Sequence, residues 1–468
     1  MNHIKDVQMV TFFRMILGLG GALLLALPAI AQESVPADTD QIVQTQAETE
    51  PLRENTGPPV YVIPALTFQA AMSYALAHSP SLQAAQYRQQ GASAQASARL
   101  DGTPNPVLSV EAEDFLGNGP ARGVNSMQIT TTVSQELELG KKFSGRKKVR
   151  SLKREAADVA LDIQRRQVLG EVAMGFVEVL AQQVRVEHAA EMVRLSHKTV
   201  ETVTAQVDAG RSTEMEIEKA EVELALSSLH ELAAKRALES ARVRLAAACG
   251  SREVFFGEVV GALDAASELP PLSDLLARMA QHPELRDAAV RVQVQQALAD
   301  MEKANRIPNL TVDLGYRYNN AASNHALVAG VGIPIPLLDR NRGNIDAAAK
   351  EVLSAQSDVE MLDTELTKLI VSEYYNVQFQ LERMTVLHET ISPRVTATFA
   401  AVEEGYRIGR FGYLDLLDAQ RTLFEVEHMV LDAQIQYQLS RILLNRIAGI
   451  PFSAIMFSAD ATRAKDSQ

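Results

Sequence analysis

The constraint that most limits what this chain can become is that it is written twice. "LAHSPSLQAA" (Leu76–Ala85) is answered by "MAQHPELRDA" (Met279–Ala288), and "TPNPVLSVEAE" (Thr103–Glu113) by "IPNLTVDLGY" (Ile307–Tyr316). Gly145 pairs with Gly343, Gly210-Arg211 with Gly409-Arg410, and Gly250 with Gly449. These pairs keep a spacing of 198 or 199 over a hundred residues. Chance does not produce that, so the halves are predicted to share one fold.

Each half reads in the same order: a helix after Pro80 or Pro283, two short strands, a very long helix, a glycine turn, and a second helix. No proline occurs between Pro120 and Pro270. Ser144 to Asp208 is continuously helical in pattern, roughly 100 Å at 1.5 Å per residue. That length predicts coiled-coil packing rather than one globular core. The second half matches from Asn344 to Glu404, with a kink or break expected at Pro393.

The strands alternate. In "NLTVDLGYRY" (Asn309–Tyr318), Leu310, Val312, Leu314, Tyr316 and Tyr318 share one face, and Thr311, Asp313, Gly315 and Arg317 the other. "VLSVEAED" (Val107–Asp114), "MQITTTVS" (Met127–Ser134) and "LVAGVGIPI" (Leu327–Ile335) behave alike. Pattern alone favours a half-buried antiparallel sheet; a membrane barrel with a wet lumen has the same signature. Four strands cannot close a membrane barrel, which needs about eight or more. Lipid tolerates no unpaired strand edge. The membrane reading therefore demands an oligomer, and three copies give twelve strands.

The ends carry other information. Lys5 and Arg14 precede an apolar run, Met15 to Leu27, followed by Ala29-Ile30-Ala31. This is the pattern of a secretory signal peptide over 1–31. The acidic, proline-containing stretch 32–64 reads as a flexible lead-in, followed by repeats 65–261 and 262–451 and a tail, 452–468. Removing 1–31 leaves 43 basic against 57 acidic side chains, a net charge of −14 compared with −13 for the whole chain. That balance argues against nucleic-acid binding. The single cysteine, Cys249, excludes an intrachain disulfide and reads as a packing residue. No phosphate loop, Ser/His/Asp order or paired Cys/His spacing supports catalysis or a cofactor. The nine histidines are scattered, and no metal site is predicted.

Signal peptide, tandem halves, element order and "YRIGRFGYLDLLDAQRTLF" together resemble the outer-membrane factor family, the TolC-type efflux ducts, over roughly Leu66 to Pro451. "GVGIPIPLLDRNRGNI" (Gly330–Ile345) and "SQELELGKKFSGRK" (Ser134–Lys147) resemble its Czc-type heavy-metal branch. The resemblance implies a mainly α trimer with a β-barrel part: four transmembrane strands and long coiled-coil helices per chain, from two internal repeats. It implies a non-enzymatic exit duct in the cell outer membrane, its helices in the periplasm. The implied partners are two further copies, a periplasmic adaptor and an inner-membrane RND-type pump. Divalent heavy-metal cations are the preferred substrate. A drug, small-molecule or type I secretion duct is the alternative, as is a secreted coiled-coil protein without a pore.

The resemblance also assigns residues. Asp415 and Asp418, three apart on one helix face, would line the closed periplasmic entrance, six carboxylates in a trimer. The plain reading is helix-start stabilisation worth about 0.3–1 kcal/mol per acid. Tyr406 would help hold the entrance shut, with Glu216 as its aligned partner. Phe411 stands where a family member carries an arginine latch, and adjacent Arg410 is the substitute. Gly210, Arg211, Gly409, Phe411, Gly412 and Leu414 would form adaptor-docking tips, with Leu417 a further apolar candidate. Lys141–Arg150 is either a solvated face or a contact with lipid phosphates. Glu111, Glu113 and Asp313 are candidate lumenal acids.

Overall fold

The computed structural model describes residues 62–98, 102–263 and 269–450. The expected signal peptide, nearly all of the lead-in and the tail lie outside the described residues. The elements run β1 (Ile63–Thr67), α1 (Phe68–His78), α2 (Pro80–Ser97), β2 (Val107–Glu113), β3 (Gln128–Leu137), α3 (Lys142–Asp208), α4 (Glu214–Ala248), β4 (Phe256–Val260), α5 (Leu272–Arg278), α6 (Pro283–Asn305), β5 (Leu310–Asn319), β6 (Asn324–Gly332), α7 (Arg342–Val386), α8 (Ser392–Arg407) and α9 (Tyr413–Ile447). The order helix, strand, strand, long helix, glycine turn, helix occurs twice. The fold is mainly helical, and α3 alone has 67 residues.

Backbone geometry recurs with the sequence. The long helices start from left-handed residues at Lys141 (φ 66°) and Asn341 (φ 54°). Gly250 and Gly449 close α4 and α9 with φ of 87° and 69°. At Gly250, the N–H bonds to Ala247 O and the Ser251 N–H to Ala246 O, both at 2.9 Å. This pair of bonds ends a helix through a left-handed residue, which glycine adopts without a Cβ penalty. Gly250 also sits against the turn between α1 and α2, where a Cβ would come within 2.6 Å of the His78 carbonyl oxygen.

Two features have local causes. At Pro393 the chain stays helical, and the expected kink or break takes the form of a change of helix type. A π turn, Leu387–Ile391, joins α7 to α8 and puts Pro393 in the first turn of α8, where a missing N–H does least harm. β1 takes in Ile63 and Pro64, which the sequence pattern assigns to the lead-in. It pairs parallel with β4, and the Ile63 N–H reaches Phe255 O at 2.8 Å. The partner is some 190 residues away, so local pattern cannot reveal it.

Two cores flank the middle of the long helices. In one, Leu66, Phe176, Val177, Leu245 and Phe256 join α3, α4, β1 and β4. Each contributes about 1.5–3 kcal/mol by leaving water. Cys249 is buried there, and burial pushes its thiol up to about 12, so it stays protonated. The other core gathers Leu275, Ile370, Val377, Tyr437 and Leu444 from α5, α7 and α9.

The remaining strands form one antiparallel sheet in the order β2-β3-β5-β6. Its register aligns Leu108, Val133, Leu314 and Ala329 in one row, and Val110, Thr131, Tyr316 and Leu327 in another. These rows make an apolar face, and that face is uncovered: Val110 is 65% exposed, Leu327 83% and Val331 71%. Ser109, Thr130, Thr132, Asp313 and Arg317 occupy the opposite face, where Arg317 Nε donates to Thr130 Oγ1 at 3.1 Å. Glu111 and Glu113 lie on this polar face, Glu111 in one row with Thr130 and Arg317. Within one chain the sheet is open, with β2 and β6 as free edges.

At the sheet–helix junction much of the basic cluster is used internally. Arg146 pairs with Glu138, Lys142 Nζ donates to Asn309 Oδ1 at 2.6 Å, and Arg150 donates to Ala98 O at 3.0 Å. Lys147 and Lys148 are exposed, with no ion pair among the described residues.

The glycines give a graded prediction. Gly210 has positive φ but open space around its missing Cβ, whereas Gly250 has both positive φ and the His78 carbonyl. Gly210→Ala should cost about 1–2 kcal/mol, the left-handed penalty alone. Gly250→Ala should cost more, and thermal unfolding of the two variants reads the order.

Candidate functional site

The site lies where the hairpins α3–α4 and α8–α9 turn. Both turns are built alike. The Gly210 N–H bonds to Val207 O at 2.8 Å and the Arg211 N–H to Gln206 O at 2.9 Å. The Gly409 N–H bonds to Tyr406 O at 3.0 Å and the Arg410 N–H to Gly405 O at 2.7 Å. Both glycines have positive φ, 68° and 79°, as this helix ending requires.

The second tip adds an aromatic lid. Phe411 folds back over Gly405, and a Cβ on Gly405 would overlap its ring. Arg410 and Arg211 are exposed at the turns, and neither side chain makes an ion pair among the described residues. Leu414 is 67% exposed, whereas neighbouring Leu416 is buried and Leu417 half-buried.

Asp415 and Asp418 have separate local circumstances. Asp415 Oδ2 accepts the Gly412 N–H at 2.9 Å, an acid in the first turn reaching back to the helix start. Asp418 makes no side-chain hydrogen bond among the described residues. Both are exposed and border a cleft of about 370 Å³ with Val395, Val402 and Phe411.

Glu216 and Tyr406 meet across the hairpins. Tyr406 OH donates to Glu216 Oε2 at 3.3 Å, and Ser212 donates to the same oxygen. Burial is the main cause holding the Tyr406 hydroxyl above its ordinary pKa, against the lowering effect of its Ser212 hydrogen bond. It therefore remains a donor. Its ring meets Tyr413 edge to face, with centroids 6.4 Å apart.

Further cross-hairpin contacts escaped the sequence reading. Gln206 Nε2 donates to Arg407 O at 2.9 Å, Lys198 pairs with Glu403 at 2.6 Å, and Arg421 with Glu223 at 2.9 Å. Buried Gln420 donates to Ser196 at 3.0 Å and accepts from Thr199 at 3.2 Å. Ser196 in turn bonds Ser227 at 2.9 Å. Around these links pack Val203, Ala220, Phe399, Tyr413 and Leu423. Nothing local signals these links: each cross-hairpin pair joins residues about two hundred positions apart. The seam is thus an apolar strip studded with paired polar groups.

Tyr413 is the weak point. Its hydroxyl is buried without a hydrogen-bond partner among the described residues. Burial, then the Glu223 charge, pushes its pKa up to about 12. The folded value lies above the unfolded one, so its contribution to stability is whole below about pH 10. That contribution is lost as pH rises through about 12. Tyr413→Phe should leave stability at neutral pH unchanged or raised, since an unpaired buried hydroxyl is removed. It should also remove part of the alkaline loss of melting temperature between about pH 10 and 12.

The geometry has known counterparts. The family model described as outer membrane efflux protein matches residues 71–251 and 276–450. The cobalt-zinc-cadmium resistance protein CzcC of Cupriavidus metallidurans is 29% identical over 407 residues, 85% of this chain and 91% of that protein. The nickel-cobalt-cadmium resistance protein NccC of Alcaligenes xylosoxydans xylosoxydans is 28% identical, over 63% of this chain and 65% of its own. Among solved structures, CusC superimposes with a TM-score of 0.70 at 19% identity, covering 85% of this chain and 95% of that one. With the family model matched across both halves, the chain belongs to the outer membrane efflux protein family of TolC-type channels.

Proposed function

We propose that this chain is one third of a passive exit duct in the outer membrane, through which a tripartite pump expels divalent heavy-metal cations. The uncovered apolar face of the four-stranded sheet carries this reading. In water such a face is a liability, and in lipid it is the required surface. Its two free edges must then be closed by other copies; three copies supply twelve strands, with the polar face and its acids toward the lumen. The helices offer matching surfaces. Met215, Val222 and Leu229 form an exposed heptad stripe on α4, and Leu353, Met361 and Phe379 stand exposed on α7. Lys147 and Lys148 fall where inner-leaflet phosphates would meet the junction.

The hairpin tips are the periplasmic gate. Tyr406 and Glu216, with Ser212, hold one hairpin to the other. Asp415 and Asp418 repeat around the threefold axis as a ring of acids that concentrates or traps cations. Exposed Arg211, Arg410, Phe411 and Leu414, with the glycine turns at Gly210, Gly409 and Gly412, present the surface for an adaptor. Energy comes from an RND-type inner-membrane pump, as a passive duct requires. The metal-resistance relatives CzcC and NccC support cations as the substrate class.

Crosslinking of outer-membrane fractions should trap a trimer, and the purified chain should conduct in planar bilayers. A soluble monomer without conductance removes the proposal. A deletion strain should become sensitive to cobalt, zinc or cadmium; sensitivity to drugs alone would reassign the substrate. Asp415→Asn with Asp418→Asn should weaken divalent-cation block while trimers still form, because asparagine retains an oxygen for the Gly412 N–H. Tyr406→Phe with Glu216→Gln should raise the resting conductance; unaltered conductance would place the closing contact elsewhere.

A further inference from the structure

The two strand hairpins of the sheet are paired alike. Val107 faces Ser134 in the first, and Thr311 faces Gly332 in the second. The repeat aligns β2 with β5 at a spacing of 204, as Asn105 with Asn309, and β3 with β6 at 198, as Val133 with Val331. Applied to Val107 and Ser134, those spacings give Thr311 and Gly332, the pair observed. The hairpins are therefore equivalent residue for residue, and one joint between them already exists. It is the pairing of β3 with β5, in which Ser134 faces Asp313 and Val133 faces Leu314. The repeat equivalent of that joint is β6 against β2, and these are the two free edges of one sheet. Four strands are too few to curl round and join them, so the equivalent joint needs another copy.

We propose that β6 of one copy pairs antiparallel with β2 of the next, in the register of the β3–β5 joint. Gly332 then faces Ser109 of the next copy, Val331 faces its Val110 and Gly330 its Glu111. The pairing rests on the trimer proposed above. The faces agree: Val331 and Val110 belong to the apolar side, and Gly330, Gly332, Ser109 and Glu111 to the polar side. A slip of one residue would set the two sides against each other. The stagger also suits closure. Val107 faces Ser134, Ser134 faces Asp313, Asp313 faces Gly330, and Gly330 leads to Glu111 of the next copy. That is an advance from 107 to 111, four positions per chain and twelve around three copies. At about 3.3 Å per position and about 4.8 Å between twelve strands, the strands tilt by about 35°, as in closed membrane barrels. The joint continues where the sheet meets the helices. Lys142, the first residue of α3, donates to Asn309 just before β5. The same places in the other half hold Arg342, the first residue of α7, and Asn105, just before β2. Both are exposed, and neither side chain makes a hydrogen bond among the described residues. Arg342 would reach Asn105 of the next copy as Lys142 reaches Asn309.

The test is oxidation of cysteine pairs in the full chain, in outer-membrane fractions. Cys249 is buried and does not compete. Gly332 has room for a side chain, since an added Cβ would lie 4.0 Å from Thr311 Cβ. Directly opposed Cβ atoms stand about 4.5–5.5 Å apart and diagonal ones about 7–8 Å, the latter beyond a disulfide's reach. Ser109→Cys with Gly332→Cys should therefore give covalent dimers and trimers. Val107→Cys with Gly332→Cys, and Glu111→Cys with Gly332→Cys, should give neither. Bridging by one of these in place of the first pair overturns the register. Dimers from Gly332→Cys alone would mean β6 against β6, which overturns the joint and the trimer together. No bridge from any pair, in chains that an amine-reactive crosslinker still traps as trimers, overturns the joint and leaves the trimer standing; absence of trimers removes both. Arg342→Ala and Asn105→Ala should each lower the temperature at which the trimer dissociates, and together no further than singly. An unchanged temperature overturns that contact.

Discussion

Everything in this chain answers to one requirement: backbone N–H and C=O groups must be paired wherever water is absent. The four-stranded sheet meets it internally along β3 and β5 and leaves it unmet along β2 and β6. An apolar face beside unpaired edges is, under that requirement, unfinished within one chain. The long helices follow from the same condition, because a helix is the other way for a chain to satisfy its own backbone over a great length. The uncovered stripes of α4 and α7 are the helical counterpart of the open edges.

The tips work under the opposite condition. They are wet, so their contacts need not be permanent. Lys198 with Glu403 and Arg421 with Glu223 are ion pairs within reach of solvent, each worth little alone. The firmer elements are the buried Gln420 network and the packing of Tyr406 against Tyr413. Opening by separation of the hairpins would expose paired polar groups to water and a modest apolar strip. That combination suits reversible movement better than a wholly apolar seam would.

Much of this was legible in the sequence, and the legible parts share a cause. Strand alternation, helix length and the turn glycines are local, and the twofold plan let each be read twice. Gly210 and Gly409 were placed correctly at turns because a left-handed helix ending has few residue solutions. Asp415 was ambiguous for the same reason. The sequence offered a helix-start role, and the Gly412 N–H contact supplies one, without deciding what a ring of such acids would do. Contacts between elements were not legible. β1 pairs with β4 across most of a repeat, and Gln206, Gln420 and Ser196 meet only because two hairpins lie side by side.

The π turn before Pro393 carries a consequence of its own. From the left-handed residue that starts each long helix to the left-handed glycine at its tip, the count is 69 positions in the first half (Lys141 to Gly210) and 68 in the second (Asn341 to Gly409). A π turn takes more residues per turn than an α turn, so a single one shifts the angular phase of everything beyond it. Leu387–Ile391 therefore bears on which face of α8 is turned inward, and Phe399 and Tyr406, both beyond it, are buried.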